Sequence, residues 1–496
     1  MTDALLSVHG VVWGVPMLAL ILGVGIRIAG STAFVQLRLL PEALASLFRN
    51  LRRTDRSGGV SPFRALCTAL GATVGTGNIV GVAGAICLGG PGAVFWMWLC
   101  GLLAMGTKFA EAVLAVRFCR RTGGEQIGGP MYIILDGMGS RWKWLAAVYC
   151  CLGLAASFGV GNATQINAVI AGLNSVSGGL SVRQCLGVGL ILAVLVGTVL
   201  LGGAKRIGAA AELLIPAASG AYILLCILVL LFRMDRLPMA FRAIVEGAFS
   251  PQAMTGGLVG SMVQALRVGC ARGVFTNEAG MGTASMAHAC ADVAHPVEQG
   301  LLGIFEVFLD TLVLCTLTAL VILVSGVTIP YGADVGGELT LCAFSSVCGG
   351  WVCWILAAAL CCFAFGSILG WGLYGARCVQ FLFGQKGWEG FALLQSAAVV
   401  MGAVLNTEWI WLFSEIMNGL MAVPNLIALA VLTPEVRRLT NEYKNKSGSL
   451  AADGGHYANF NQCQPLRTLS HEKIPSLRCG SGKGGQKDLS SEHRSA

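Results

Sequence analysis

Long apolar runs almost free of charge recur along this chain, and they limit what it can fold into more than any other feature. Val11 to Ala29, Ile207 to Leu231 and Trp351 to Leu373 are three of them. About twenty residues in a helix cross a bilayer's hydrocarbon core. A backbone placed there must satisfy its own hydrogen bonds, which leaves helices or closed barrels. Only 12% of residues are charged and 55% are hydrophobic, whereas a soluble domain carries roughly 25% charged residues. The runs continue far along the chain, so they are not one signal peptide ahead of a soluble domain. The reading is an all-α, multi-pass membrane protein, with the lipid bilayer as its first partner.

Other compositional signals fit this class. The 68 glycines let membrane helices approach closely, and Gly71-xxx-Gly75 and Gly77-xxx-Gly81 have the spacing for it. The formal net charge of +8 does not mark a nucleic-acid binder, because the basic residues fall in short segments between apolar runs. The 19 cysteines lie mostly inside apolar stretches, where a thiol packs as a small hydrophobe. None has the paired spacing of a zinc site. Cys342 and Cys348 share one loop, where free thiols are favoured over a disulfide. No metal motif, nucleophile elbow or paired histidine cluster points to an enzyme.

Hydropathy and length place eleven spans at roughly 11–31, 63–87, 93–116, 144–172, 184–202, 208–232, 254–288, 300–326, 351–384, 389–405 and 410–432. Basic residues collect in alternate loops. Arg38, Arg49, Arg52, Arg53 and Arg56 follow span one. Arg117, Arg120, Arg121, Arg141 and Lys143 follow span three, and Lys205 and Arg206 follow span five. Arg377 and Lys386 mark the end of span nine, and Arg437, Arg438, Lys444 and Lys446 follow span eleven. The positive-inside rule then puts the N-terminus outside and the C-terminus in the cytoplasm. The opposite loops are sparser, apart from Arg183 and the trio Arg233, Arg236 and Arg242, and the loop after span seven breaks the pattern by lacking Lys and Arg. From residue 441 the composition turns polar and Gly/Ser-rich, too poor in apolar residues to fold alone.

Two spans conflict with the helix they should form. Span two carries Gly71-Ala-Thr-Val-Gly75-Thr-Gly77-Asn78, and span seven carries Arg272-Gly-Val-Phe-Thr276-Asn277-Glu278-Ala-Gly280-Met-Gly282. Glycine in a helix costs about 1 kcal/mol against alanine, and ionisable side chains at membrane depth cost more. Either segment alone could be tight packing or an early helix end. Together they fit a repeat. Span one stands apart, and spans two to six and seven to eleven form two sets of five, each opening with its interrupted helix. An odd number of spans per set gives the two sets opposite topology, a common transporter architecture with the site between the broken helices. The segments are 1–60, an N-terminal helix and basic loop; 61–232 and 233–440, the two repeats; and 441–496, a cytoplasmic tail. The site is expected between Gly75–Asn78 and Phe275–Gly280. Half-helix N-termini offer N–H groups to a carboxylate, and freed carbonyls suit sodium or an ammonium, the two needs of a zwitterionic amino acid.

At these residues the sequence resembles the alanine or glycine:cation symporter family. The resemblance rests on an ordered set of strings: Ser61-Pro-Phe-Arg-Ala-Leu-Cys-Thr-Ala-Leu70, Gly75-Thr-Gly-Asn-Ile-Val-Gly-Val-Ala83, Gly89-Gly-Pro-Gly-Ala-Val-Phe-Trp-Met-Trp98, Thr107-Lys-Phe-Ala-Glu111, Gly128-Gly-Pro-Met-Tyr132, Gly161-Asn-Ala-Thr-Gln165, Asn277-Glu-Ala-Gly280, Leu369-Gly-Trp371 and Asn418-Gly-Leu-Met-Ala-Val-Pro-Asn425. It covers nearly the whole chain to Arg438. It implies the five-plus-five inverted-repeat fold of the amino acid–polyamine–cation and neurotransmitter:sodium symporters, with one extra N-terminal helix. The activity implied is sodium-coupled uptake of alanine or glycine, with sodium as coupling ion and no other cofactor. By the same resemblance, Gly75, Thr76, Gly77, Asn78, Gln165, Phe275, Thr276, Asn277 and Trp371 contact substrate, with Trp371 limiting the side-chain pocket. The carbonyls of Gly71 and Val74, with Ser367, take sodium. The chain departs from the family at Gly366, where a hydroxyl is usual, at Ser285 in place of proline, and at Glu306, where a small residue is expected. Glu306 and Asp310 lie at i and i+4, on one helix face. Lys108 and Glu111 read as an intramembrane ion pair or gate network. Proton coupling through Glu278, Glu306 or Asp310 is the alternative within transport, and a channel or sensor the alternative outside it.

Overall fold

The computed structural model describes residues 2–51, 60–122, 125–250, 255, 261–333, 337–405 and 408–453. Arg52, Arg53, Arg56 and the tail beyond Asp453 lie outside the described residues. Among those described, nine helices are long and apolar enough to cross a membrane, and a tenth results if Pro62–Thr73 and Gly77–Gly89, bent by 50°, count as one span. The remaining expected span, span seven, is not one helix. Met262–Asn277 stops and Thr283–His288 resumes after a non-helical turn. The last helix runs from Glu408 to Asp453, past residue 440, where the sequence reading placed the start of the tail. Cys342 and Cys348 are free thiols.

Packing follows the two sets of five. Span three (Ala93–Arg117) packs on Pro296–Val307 of span eight, span four (Lys143–Ser177) on span nine (Val352–Phe383), and span five (Val182–Leu200) on span ten (Gly387–Val404). The two broken helices also touch each other. Each of these spans therefore meets the one five places away. Span six (Gly203–Phe232) packs on span nine, and span eleven packs on span four, which is the same relation with the two sets exchanged. An inverted repeat about a pseudo-two-fold axis has this contact pattern.

Polar contacts gather the basic loops at one end of the bundle. Arg64, at the start of span two, donates to Glu212 of span six at 2.6 Å. Arg117, ending span three, donates to Glu435 of span eleven at 3.1 Å. Arg377, near the end of span nine, reaches Glu125 at 3.3 Å, in the hairpin Arg120–Thr122/Glu125–Ile127. A backbone bridge between Val60 and Ala291 joins the start of the first broken helix to the chain just after the second.

Candidate functional site

The first break begins where Val74 turns extended (φ −76°, ψ 103°) and ends the helix at Thr73. The chain then re-enters through a wide turn, Gly77–Gly81. The second break begins at Glu278, which has the left-handed φ of +51°, and passes through Gly280 (φ +93°) and Gly282 (φ +80°). Glycine adopts such angles freely, while a residue with a Cβ is strained there. At both breaks, side chains satisfy freed N–H groups, as a buried backbone requires. Asn78 Oδ1 accepts from Gly75 N–H at 3.0 Å, and Asn277 Oδ1 accepts from Ala279 N–H at 3.0 Å. Glu111 Oε1 accepts from both Gly280 and Gly282 N–H, each at 3.0 Å. Asn425 binds both sides of this clasp, donating to Glu111 at 2.7 Å and to the Gly280 carbonyl at 2.9 Å.

A small cavity lies between the breaks. Six of the nine expected substrate residues line it: Gly75, Thr76, Gly77, Gln165, Phe275 and Trp371. Ser367, expected at the sodium site, lines it as well. Gln165 donates to the Val160 carbonyl at 3.0 Å, while its own carbonyl oxygen has no partner. Trp371 is buried, with Gly161 packed against its ring and Tyr374 edge-on at 5.8 Å.

Three expected residues sit behind this surface. Asn78 turns away from the cavity and donates to the Asp310 carboxylate at 2.7 Å and to the Asp310 carbonyl at 3.1 Å. Asn277 donates to Thr311 at 3.1 Å. Thr276 donates to the Gly273 carbonyl at 2.8 Å and packs its methyl under Gly77. They hold the breaks in shape. At the expected sodium position, Ser367 donates to the Gly71 carbonyl at 3.0 Å, next to the extended Val74. Gly366 instead faces Gly71 and the Ile215 side chain, so its lack of a hydroxyl serves close helix packing.

The charged residues sort differently from the sequence expectation. Lys108 pairs with Glu306 at 3.3 Å, both fully buried, rather than with Glu111. His288 meets the other Glu306 oxygen at 2.8 Å, and Gln299 meets His288 at 2.7 Å. Glu306 and Asp310 share a helix face but have separate partners, because a wide turn over Phe308–Cys315 follows Glu306. The clasp of Glu111 with Asn425 was not foreseen, although both residues stand in the motifs of spans three and eleven. Nothing in the order of residues indicated that these motifs meet.

Two discontinuous helices crossing at one small cavity, in two sets of five interlocked spans, define a secondary transporter of the inverted-repeat class. Residues 1–453 match the sodium:alanine symporter family, and the chain belongs to that family: it is a sodium-coupled symporter, not an enzyme. It is 41% identical over 442 residues to an uncharacterized transporter of Haemophilus influenzae, covering 88% of this chain and 95% of that one. To the sodium/alanine symporter AgcS of Methanococcus maripaludis it is 39% identical over 436 residues, covering 86% and 94%. Among solved structures it resembles MhsT, crystallised with L-phenylalanine, at a TM-score of 0.54 and 14% identity. That likeness covers 78% of this chain and 99% of MhsT, and it bears on fold alone.

Proposed function

We propose that this protein takes up a small neutral amino acid, alanine or glycine, together with sodium by alternating access. One observation carries the reading: residues of both helix breaks line a single cavity, with Trp371 on its wall. In this reading Gly75, Thr76, Gly77 and Phe275 present backbone to the zwitterion, and the unpartnered Gln165 oxygen accepts from it. The Gly71 and Val74 carbonyls with Ser367 hold sodium. Asn78, Thr276 and Asn277 act from behind, through the shape of the breaks. The contacts at the basic end, Arg377 with Glu125 and Val60 with Ala291, form the inner gate. The positive-inside rule places that end in the cytoplasm, with the N-terminus outside and the C-terminus inside. Coupling by sodium rather than protons is supported by the match to the sodium:alanine symporter family.

Counterflow tests the carrier cycle. Proteoliposomes preloaded with unlabelled alanine should accelerate entry of labelled alanine in the presence of sodium. A rate that ignores the internal amino acid would indicate a channel.

A further inference from the structure

Of the residues lining the cavity between the two breaks, one is ionisable: Glu278. The nearby acids are all spoken for behind the wall. Glu306 is paired with Lys108 and His288, Asp310 is held by Asn78 and Thr311, and Glu111 clasps Gly280 and Gly282. Glu278 forms no ion pair within 4 Å among the described residues; Lys108, paired with Glu306, acts on it only from a distance. Its Oε2 accepts from the Thr283 hydroxyl at 2.6 Å, and Trp371 stands beside the carboxylate on the same cavity wall. The hydroxyl donates, so the carboxylate is presented to the cavity as an acceptor.

The backbone gives a second, independent observation. Glu278 is the cap that ends Met262–Asn277, and it has a left-handed φ of +51°. Glycine is the usual residue at such a cap because any Cβ is strained there. Only three non-glycine residues among those described have a positive φ, and Glu278 alone of them lines the cavity. The side chain is retained where the backbone disfavours it, and the turn directs it into the cavity. Strain held at such a position is a mark of function.

We infer that Glu278 is the counter-charge for the ammonium group of the substrate, and that through it this protein selects α-amino acids over the corresponding hydroxy acids. The inference rests on the amino-acid reading of the same cavity. A carboxylate with its hydrogen-bond donors already in place forms a charge-assisted bond to an ammonium, and a hydroxyl in the same place gives a weaker, neutral donor. Because Trp371 stands beside the same carboxylate, the group that reads the ammonium lies against the wall that limits side-chain size.

The test uses the purified full-length protein in sodium, with binding of labelled L-alanine competed by unlabelled L-alanine and by L-lactate. Wild type should prefer alanine over lactate. Glu278→Gln should weaken alanine by about 10- to 100-fold, the range of one hydrogen bond to a charged group, and bring the alanine-to-lactate ratio toward one. Glu278→Asp keeps the charge but withdraws it by one methylene, and the ratio should fall to an intermediate value. This variant decides the matter if the glutamine form does not fold. An unchanged ratio in a folded variant, or a shift confined to tolerance for larger side chains, would show that Glu278 only braces Trp371 and would overturn the inference. If wild type fails to bind alanine at all, the amino-acid reading falls, and the inference with it.

Discussion

Asn78 and Asp310 are joined across the bundle by a hydrogen bond of 2.7 Å from the amide Nδ2 to the carboxylate Oδ1. The same Asn78 side chain accepts from the Gly75 N–H, so one residue ties the first break to span eight. Asn78→Leu leaves a buried N–H and a buried carboxylate each short of a partner, at about 1–3 kcal/mol per group. The expected result is loss of alanine uptake together with a lowered melting temperature of the purified protein. Full uptake in this variant would remove the tie from the mechanism.

Ser367 donates to the Gly71 carbonyl, and Gly366 packs its backbone against the same turn. Ser367→Ala should raise the sodium concentration for half-maximal uptake by roughly fivefold, the equivalent of about 1 kcal/mol for one polar contact. Gly366→Ser should not improve sodium affinity. An added Cβ at 366 meets Ile215 Cδ1 at 2.5 Å, so in this variant the Ile215 side chain must shift, with at most a modest change in melting temperature. The sodium dependence of uptake and the melting temperature, measured for both variants, separate the two roles.

Lys108 and Glu306 form an ion pair with no exposed surface. Removing one partner of a buried pair leaves an uncompensated charge, at about 3–5 kcal/mol. Lys108→Met and Glu306→Gln should each destabilise strongly, and the double variant should recover part of the loss. A double-mutant cycle on unfolding measures the coupling. Additive losses would mean that the two side chains act separately.

Trp371 rests against Gly161, where an added Cβ would run into its ring. Trp371→Ala should admit larger amino acids, with leucine inhibiting alanine uptake. Gly161→Ala should push the indole toward the cavity and reject side chains larger than that of glycine. Inhibition by amino acids of rising size checks both, and an unchanged size profile in the pair would place the size limit elsewhere.

The fold was legible because a bilayer permits few solutions. Apolar runs located most spans, and the glycines at 75, 77, 280 and 282 marked breaks that a lipid-exposed helix would not carry. Sequence reasoning separated the cavity surface from its support less well. Thr76 and Asn78 are two residues apart, yet one lines the cavity and the other braces the break from behind. That difference depends on the wide turn at Gly77–Gly81, which has no sequence signature. Of the two readings of Lys108 and Glu111, the direct ion pair is not found, for a related reason. Spacing on one helix suggested a local pair, but span eight supplies Glu306 and the second break supplies two N–H groups. Glu278 stood in a recognised motif, but its exposure to the cavity follows from a backbone angle that only the structure gives.

Coupling is the central claim, and gradient-driven uptake tests it most directly. The purified protein would be placed in proteoliposomes, with sodium and proton gradients imposed one at a time and labelled alanine supplied outside. An inward sodium gradient alone should drive accumulation above equilibrium, and a proton gradient without sodium should not. Accumulation driven by protons in the absence of sodium, or uptake that never rises above equilibrium with sodium, would contradict the account.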